Sequence, residues 1–277
     1  MATPLHVVDA FTSTAFGGNP AAVVLLEAPA PEPWMQAVAA EANLSDTAFV
    51  VPRADGDHDL RWFTPTVEVE LCGHATLATG HVLGGTRRFH TRHAGVLETR
   101  AADDGTITMD LPAQPSAPWN GDGNGNGGDD RTVLADALGL DPELVRGAWS
   151  TANGWLLVEV AGAGAVRACE PQRDRLLGFG GHVIVTADAT ADAAEAHDVV
   201  SRVFVPAAGV DEDPVTGSAH CVIAPWLVER TGRTRLRAHQ ASRRGGELRI
   251  EVRGDRVLLT GHAVTVFTGT FLAPPSP

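Results

Sequence analysis

Leu71-Cys72-Gly73-His74-Ala75-Thr76 and Asp213-Pro214-Val215-Thr216-Gly217-Ser218-Ala219-His220 are two versions of one local design. Each reads as a loop that turns at a glycine and enters an apolar helix. The first helix is carried by Ala75, Leu77, Ala78, Val82 and Leu83, the second by Ala219, Cys221, Val222, Ile223, Ala224 and Leu227. Small residues at a helix start leave backbone N–H groups open, and those groups together with the helix dipole favour an anion. His74 stands beside one glycine and Ser218 beside the other. Acids or hydroxyls lie just upstream: Glu68 and Glu70 in the first case, Asp211, Glu212, Asp213 and Thr216 in the second. The approaches also match, with Phe63-Thr64-Pro65 before Gly73 and Phe204-Val205-Pro206 before Gly217. The reading is one architectural unit used twice, with a small anionic ligand held where the two helix starts meet.

Working outward, the helix after Gly73 is expected to stop at Gly84-Gly85. Upstream, residues 5–11 and 21–26 read as strands separated by the turn Phe16-Gly17-Gly18-Asn19-Pro20. Residues 33–42 read as a helix, and 48–51 as the next strand. Between them lies Asn43-Leu44-Ser45-Asp46-Thr47, which puts Asp46 at a helix-to-strand junction beside two hydroxyls. A carboxylate between apolar segments loses hydration, which raises its pKa and suits it to moving protons near neutral pH. The plainer alternative is a solvated turn aspartate that caps local N–H groups. Residues 60–63 form a strand into the first motif, and 96–100 and 106–110 pair about Asp103-Asp104-Gly105. His90 and His93 lie three apart in a basic segment without a third ligand nearby, so no metal site is expected.

Residues 112–130 change character, with three prolines followed by Gly121-Asp122-Gly123-Asn124-Gly125-Asn126-Gly127-Gly128. This composition is that of a flexible linker. Gly123, Gly125 and Gly128 satisfy G-x-G-x-x-G, but no strand precedes them, so the dinucleotide reading fails its context. The expected organisation is an N-terminal half at 1–118, a linker at 119–130, a C-terminal half at 131–262, and a last strand at 263–277. Within the second half, a helix is expected at 132–138 and strands at 155–160, 183–186 and 199–205. The second motif helix runs to about residue 229 with Pro225 inside it. A hairpin about Arg253-Gly254-Asp255 joins strands at 248–252 and 257–260, and a final strand covers 263–271. Long strands with two buried helices give an α+β chain in two similar halves.

Composition narrows the function classes. The chain has 277 residues, 44% of them hydrophobic, and a net charge of −13. That charge argues against a nucleic-acid partner. Three cysteines, an odd and sparse set, argue for a reducing compartment rather than a disulfide framework. No signal-peptide pattern and no run of 18 apolar residues occur, so no membrane partner and a cytoplasmic location are expected.

Val8-Asp9-Ala10-Phe11-Thr12, Phe16-Gly17-Gly18-Asn19-Pro20-Ala21-Ala22-Val23, Asn43-Leu44-Ser45-Asp46-Thr47, Cys72-Gly73-His74-Ala75-Thr76 and Asp213-Pro214-Val215-Thr216-Gly217-Ser218-Ala219 together resemble the PhzF family of phenazine-biosynthesis-type isomerases. The likeness runs essentially the whole chain, with the glycine-rich linker as an unmatched insertion. It implies the diaminopimelate epimerase-like fold, two pseudo-symmetric halves each a curved sheet or barrel around a central helix, with the active site in the cleft between them and the strand at 263–277 crossing back to the first half. It also implies a homodimer and a cofactor-independent reaction on a small-molecule carboxylate from secondary metabolism, such as trans-2,3-dihydro-3-hydroxyanthranilate. Carried over residue by residue, the resemblance makes Asp46, His74 and Asp213 catalytic. It makes Asn19, Ser45, Gly73, Gly217 and Ser218 substrate-binding, with no metal. One departure stands out. The family's proton-shuttling residue is a glutamate, and Asp46 lacks one methylene, about 1.3 Å of reach by ordinary bond geometry.

Two other readings compete. An amino-acid epimerase of the same fold uses two opposed thiols; Cys72 fills the first place, but Thr216 fills the second, a hydroxyl is too weak an acid to replace a thiol, and Cys72 and Cys221 read more simply as small core residues. A small-molecule-binding homologue with weak catalysis is the third possibility, since fold does not imply function.

Overall fold

A computed structural model of the chain describes residues 3–121 and 130–275. Most of the glycine-rich stretch expected as a linker, residues 122–129, and with it the G-x-G-x-x-G pattern, lies outside the described residues. The chain divides into two compact units, Met1–Leu111 with Leu258–Pro277, and Pro112–Val257.

The first unit runs β1 (Thr3–Ala10), β2 (Asn19–Leu25), α1 (Glu32–Ala42), β3 (Asp46–Pro52), β4 (His58–Phe63), β5 (Glu68–Val69), α2 (Gly73–Leu83), β6 (Thr86–His90), β7 (Val96–Ala101) and β8 (Thr106–Pro112). It is completed by the chain's last strand, Arg256–Phe271. Pairing closes on itself. β1 and β2 are antiparallel, β2 and β3 parallel, β3 and β4 antiparallel, β4 and β6 parallel, and β6, β7 and β8 form an antiparallel run. The last strand pairs with both β8 and β1, which makes an eight-stranded barrel. Helix α2 packs against β1, β2, β3, β6 and β7, and every residue from Gly73 to Gly80 is buried. A helix that is apolar all round needs such a lining, which is why its sequence shows no amphipathic stripe. Outside the barrel, Trp34, Met35 and Val38 of α1 cover Val24, Phe49 and Phe63. Strand β3 is therefore covered on both faces, and its middle reads as the unbroken apolar run Ala48-Phe49-Val50.

The second unit runs β9 (Ser116–Pro118), α3 (Asp130–Leu138), β10 (Val145–Thr151), β11 (Leu156–Val160), α4 (Ala163–Ala168), α5 (Arg173–Leu177), β12 (Val183–Asp188), β13 (Val199–Val205), β14 (Val210–Asp213), α6 (Gly217–Thr231), β15 (Arg235–Gln240) and β16 (Gly246–Arg253). Its pairing repeats the order of the first. β10 and β11 are antiparallel, β11 and β12 parallel, β12 and β13 antiparallel, β13 and β15 parallel, and β15 and β16 antiparallel. The short strand β14 folds back on β13 just before α6, as β5 folds back on β4 just before α2. Helices α3, α4 and α5 bury Leu134, Leu138, Val166 and Leu176 against Val158, Val160, Val183 and Val185. Helix α6 packs against β12 and β16.

Some expectations change. The strands expected at 257–260 and 263–271 are one strand, β17 (Arg256–Phe271), unbroken through Gly261-His262. Gly261 is not a breaker there. A Cβ at that position would lie 2.6 Å from Cδ1 of Phe11, so glycine permits a close approach. Asp46 stands at the helix-to-strand junction as expected, but β3 begins two residues earlier than read, so it opens that strand opposite Ala21 of β2. Strands β6, β10, β14 and β15 and helices α4 and α5 had no clear signal, because they are short or carry charges on an exposed face. The contact division falls at Leu111/Pro112 and Val257/Leu258.

Candidate active site

In the first unit, β2, β3 and the start of α2 bring Asn19, Asp46, Cys72 and His74 together. Asn19 opens β2, Asp46 opens β3, Cys72 occupies the N-cap position of α2, and His74 is its second residue. The Asp46 side chain is 13% exposed. Its Oδ2 lies 3.4 Å from Cys72 Sγ, which donates to it, and 3.6 Å from His74 Nε2. His74 Nδ1 lies 3.2 Å from Asn19 Nδ2 and 3.5 Å from Cys72 Sγ. With Asn19 donating to Nδ1, the network assigns the ring proton to Nε2, facing Asp46. Burial pushes His74 down to about 3, so the imidazole is neutral and acts as an N–H donor. Cys72 makes no side-chain cap, and helix geometry gives the first N–H groups of α2 no intrahelical acceptor. Ser45 sits half-buried in the turn before Asp46, and Glu41 is exposed on α1.

The loop before Asn19 is held in unusual backbone. Phe11 and Phe16 adopt φ of 64° and 71°, conformations that cost about 1–3 kcal/mol each in a residue with a Cβ. Asp9, buried in β1, accepts the Phe16 N–H at 2.6 Å and offsets part of that cost. Gly18 follows at φ 59°, where an added Cβ would sit 2.1 Å from the Ala10 carbonyl oxygen.

In the second unit the start of α6 is organised differently. The Thr216 hydroxyl donates to Oδ2 of Asp213 in a very short contact. Gln240, wholly buried, accepts the Thr216 N–H at 2.8 Å through Oε1 and donates through Nε2 to the Asp213 carbonyl at 2.7 Å. Ser242 donates to the Pro214 carbonyl at 2.7 Å. His220 Nδ1 donates to the Thr216 carbonyl at 2.8 Å, and burial pushes this ring down to about 4. Gly217 is buried and Ser218 half-buried at the first two positions of the helix. The thiol of Cys221, one turn further in, is pushed up to about 12 by burial. Cys169 is pushed up to about 11 for the same reason, so both are inert core residues.

Sequence reasoning missed Gln240. A signal was available: in β15 the buried positions are Leu236, Ala238 and Gln240, so a glutamine occupies the inward face of an alternating strand. It also missed the carboxylate partner of His90, which is Asp57, 2.8 Å from Nε2. Nothing in the spacing revealed that Cys72, read as a core residue, touches Asp46.

A family model for phenazine biosynthesis-like proteins (PhzC-PhzF) matches residues 8–269. An uncharacterized isomerase of Halalkalibacterium halodurans is 41% identical, covering 98% of this chain and 99% of its own. One from Pseudomonas aeruginosa is 44% identical, covering 97% and 98%. The crystal structure of a PhzF-family protein from Enterococcus faecalis matches with a TM-score of 0.85 at 35% identity, covering 99% of this chain and 100% of that one. The chain therefore belongs to the phenazine biosynthesis-like family. It is an isomerase with the diaminopimelate epimerase-like fold.

Proposed function

We propose that this isomerase moves a proton within a small conjugated or cyclic amino-acid-like substrate, without a cofactor, and that Asp46 is its acid/base. The carrying observation is the Asp46 carboxylate, nearly buried between the Cys72 thiol and the neutral His74 N–H at the start of α2. In this reading Asp46 takes a proton from carbon and returns it to another atom on the same face of the substrate. The first N–H groups of α2, beginning at Gly73, and the His74 ring stabilise the negative charge that develops when carbon loses its proton. Asn19 fixes the His74 tautomer, and Ser45 lies beside the base. Asp213 recognises a substrate amine or hydroxyl, and Ser218 with the Gly217 end of α6 recognises a carboxylate. The active form is a homodimer in the cytoplasm, and the substrate belongs to secondary metabolism.

The epimerase alternative has less support. Thr216 stands in the second unit where Cys72 stands in the first, and its hydroxyl is engaged by Asp213. The nearby thiol of Cys221 is buried and pushed up to about 12. The test is incubation with trans-2,3-dihydro-3-hydroxyanthranilate and other conjugated amino acids in D2O, with Asp46→Asn alongside. The expected result is an isomer with the substrate's elemental composition apart from deuterium taken up at the protonated position, formed about 10²–10⁴-fold more slowly by the variant. Equal turnover by a folded Asp46→Asn protein would remove Asp46 from the mechanism, and no conversion of any substrate by the folded wild type would favour the weak-binder reading.

A further inference from the structure

The Asp46, Cys72 and His74 side chains also have the chemistry and the spacing of a metal site. We propose that this cluster binds a thiophilic divalent cation, with Zn²⁺ as the prototype, and that the bound ion switches the isomerase off. Each residue offers one ligand atom, and the three atoms lie within 4.8 Å of one another. The observed edges are 3.4 Å from Cys72 Sγ to Asp46 Oδ2, 3.6 Å from Asp46 Oδ2 to His74 Nε2, and 4.0 Å from Cys72 Sγ to His74 Nε2. Tetrahedral zinc with ordinary bond lengths to sulfur, nitrogen and oxygen requires ligand separations of about 3.3–3.6 Å. Two edges already fit, and the third needs to close by about half an ångström, within the reach of small side-chain rotations.

The ligand set is one thiolate, one imidazole and one carboxylate, which suits zinc and its neighbours and not calcium or magnesium. On binding, the Cys72 thiol gives its proton to solvent, so thiolate and carboxylate balance the charge of the ion. Asn19 supplies the outer support, since its amide can turn over to accept from His74 Nδ1 while Nε2 takes the metal. The other candidate cluster, Asp55, Asp57 and His90, is weaker. It lies nearer the surface, and Arg53 and Arg88 already occupy its carboxylates. Inhibition follows because the ion engages the Asp46 oxygen. That half rests on the proton-transfer reading above; the binding itself does not.

The test uses chelator-treated full-length protein titrated with Co²⁺, then with Zn²⁺. The expected result is one ion per chain, intense visible bands of tetrahedral cobalt, a thiolate-to-cobalt charge-transfer band, and displacement by Zn²⁺. Cys72→Ser, nearly isosteric, removes the charge-transfer band, whereas Cys169→Ala keeps it. Asn19→Ala weakens binding by about 10–100-fold. X-ray absorption of the zinc-loaded wild type needs no variant and should give a sulfur neighbour at about 2.3 Å. Absence of saturable binding, or a charge-transfer band that survives in Cys72→Ser, overturns the proposal. Saturable binding through Cys72 with undiminished turnover supports the site, overturns the switch and counts against Asp46 as the base.

Discussion

Lowering the pH should destabilise this protein through His220 before most carboxylates titrate. The ring is fully buried in α6, Nδ1 is committed to the Thr216 carbonyl, and Nε2 has no hydrogen-bond partner among the described residues. A second proton would be placed on that buried nitrogen. Burial therefore holds His220 down at about 4, with the Thr216 bond opposing the shift. The folded value lies below the ordinary value of about 6.5, so stability is fully present above that value and is lost as pH falls from there toward the folded one. Between about pH 7.5 and about pH 5 the loss comes to about 2 kcal/mol. His74, held at about 3, adds a similar loss over the same interval. Together these approach 4 kcal/mol, a large part of a typical stability of about 5–15 kcal/mol. Urea unfolding at the two pH values measures it. His220→Asn keeps a donor where Nδ1 was and removes the titrating nitrogen. It should start less stable, because it leaves a small cavity, yet lose about 2 kcal/mol less than the wild type on acidification. Identical pH dependence in the two proteins would refute the reasoning, since the buried ring would then not be what titrates.

Three further perturbations address the two helix starts. Asp46→Glu adds about 1.3 Å of reach to a carboxylate already in contact with Cys72 and His74. Turnover should fall about 10²-fold and partly recover with Cys72→Ala; an unchanged rate in steady-state assays would show slack in the cluster. Gln240→Leu takes the acceptor from the buried Thr216 N–H and a donor from the Asp213 carbonyl, costing about 1–3 kcal/mol for the Thr216 group alone, and should raise KM more than it lowers kcat. Gly18→Ala places a Cβ 2.1 Å from the Ala10 carbonyl oxygen at a positive φ, so thermal unfolding should show a loss of about 3 kcal/mol.

The repeated glycine-to-helix motif was legible because it depends on local chemistry. A small residue at a helix start and an apolar run after it are visible in a window of a dozen residues, and α2 and α6 begin at Gly73 and Gly217 as read. The closure of eight strands into a barrel was not legible, since pairing β8 and β1 to the same last strand is a long-range event with no local mark. The gap expected near Gly261 shows the same limit. Glycine signals a break when only the chain is considered, and a close approach once Phe11 is known to lie across it. At the site, Asp46, His74 and Asn19 came from motifs, but Cys72 looked like a core residue because burial and reactivity are not distinguished by residue type. Gln240 was hidden for a different reason. Its partners lie on a loop 24 or more residues away, and apart from the Thr216 hydroxyl they are backbone groups, which leave no trace in sequence.

The duplicated frame explains how one fold places different chemistry at equivalent points. A folded-back short strand, a glycine and an apolar helix recur, so in both units the first N–H groups of the helix have no intrahelical acceptor. What differs is how the residue before each glycine is used. In the first unit it is Cys72, whose side chain reaches an aspartate supplied by β3 and leaves that carboxylate beside a neutral histidine. In the second it is Thr216, whose hydroxyl and N–H are both consumed, by Asp213 and by Gln240. A carboxylate beside a thiol and a neutral ring can exchange a proton. A loop whose polar groups are engaged in a dense hydrogen-bond network holds its shape and presents a fixed surface. Exchanging Cys72 for threonine should therefore cost more in turnover than in stability, whereas breaking the Gln240 network should do the reverse of that balance, costing stability and substrate affinity before rate.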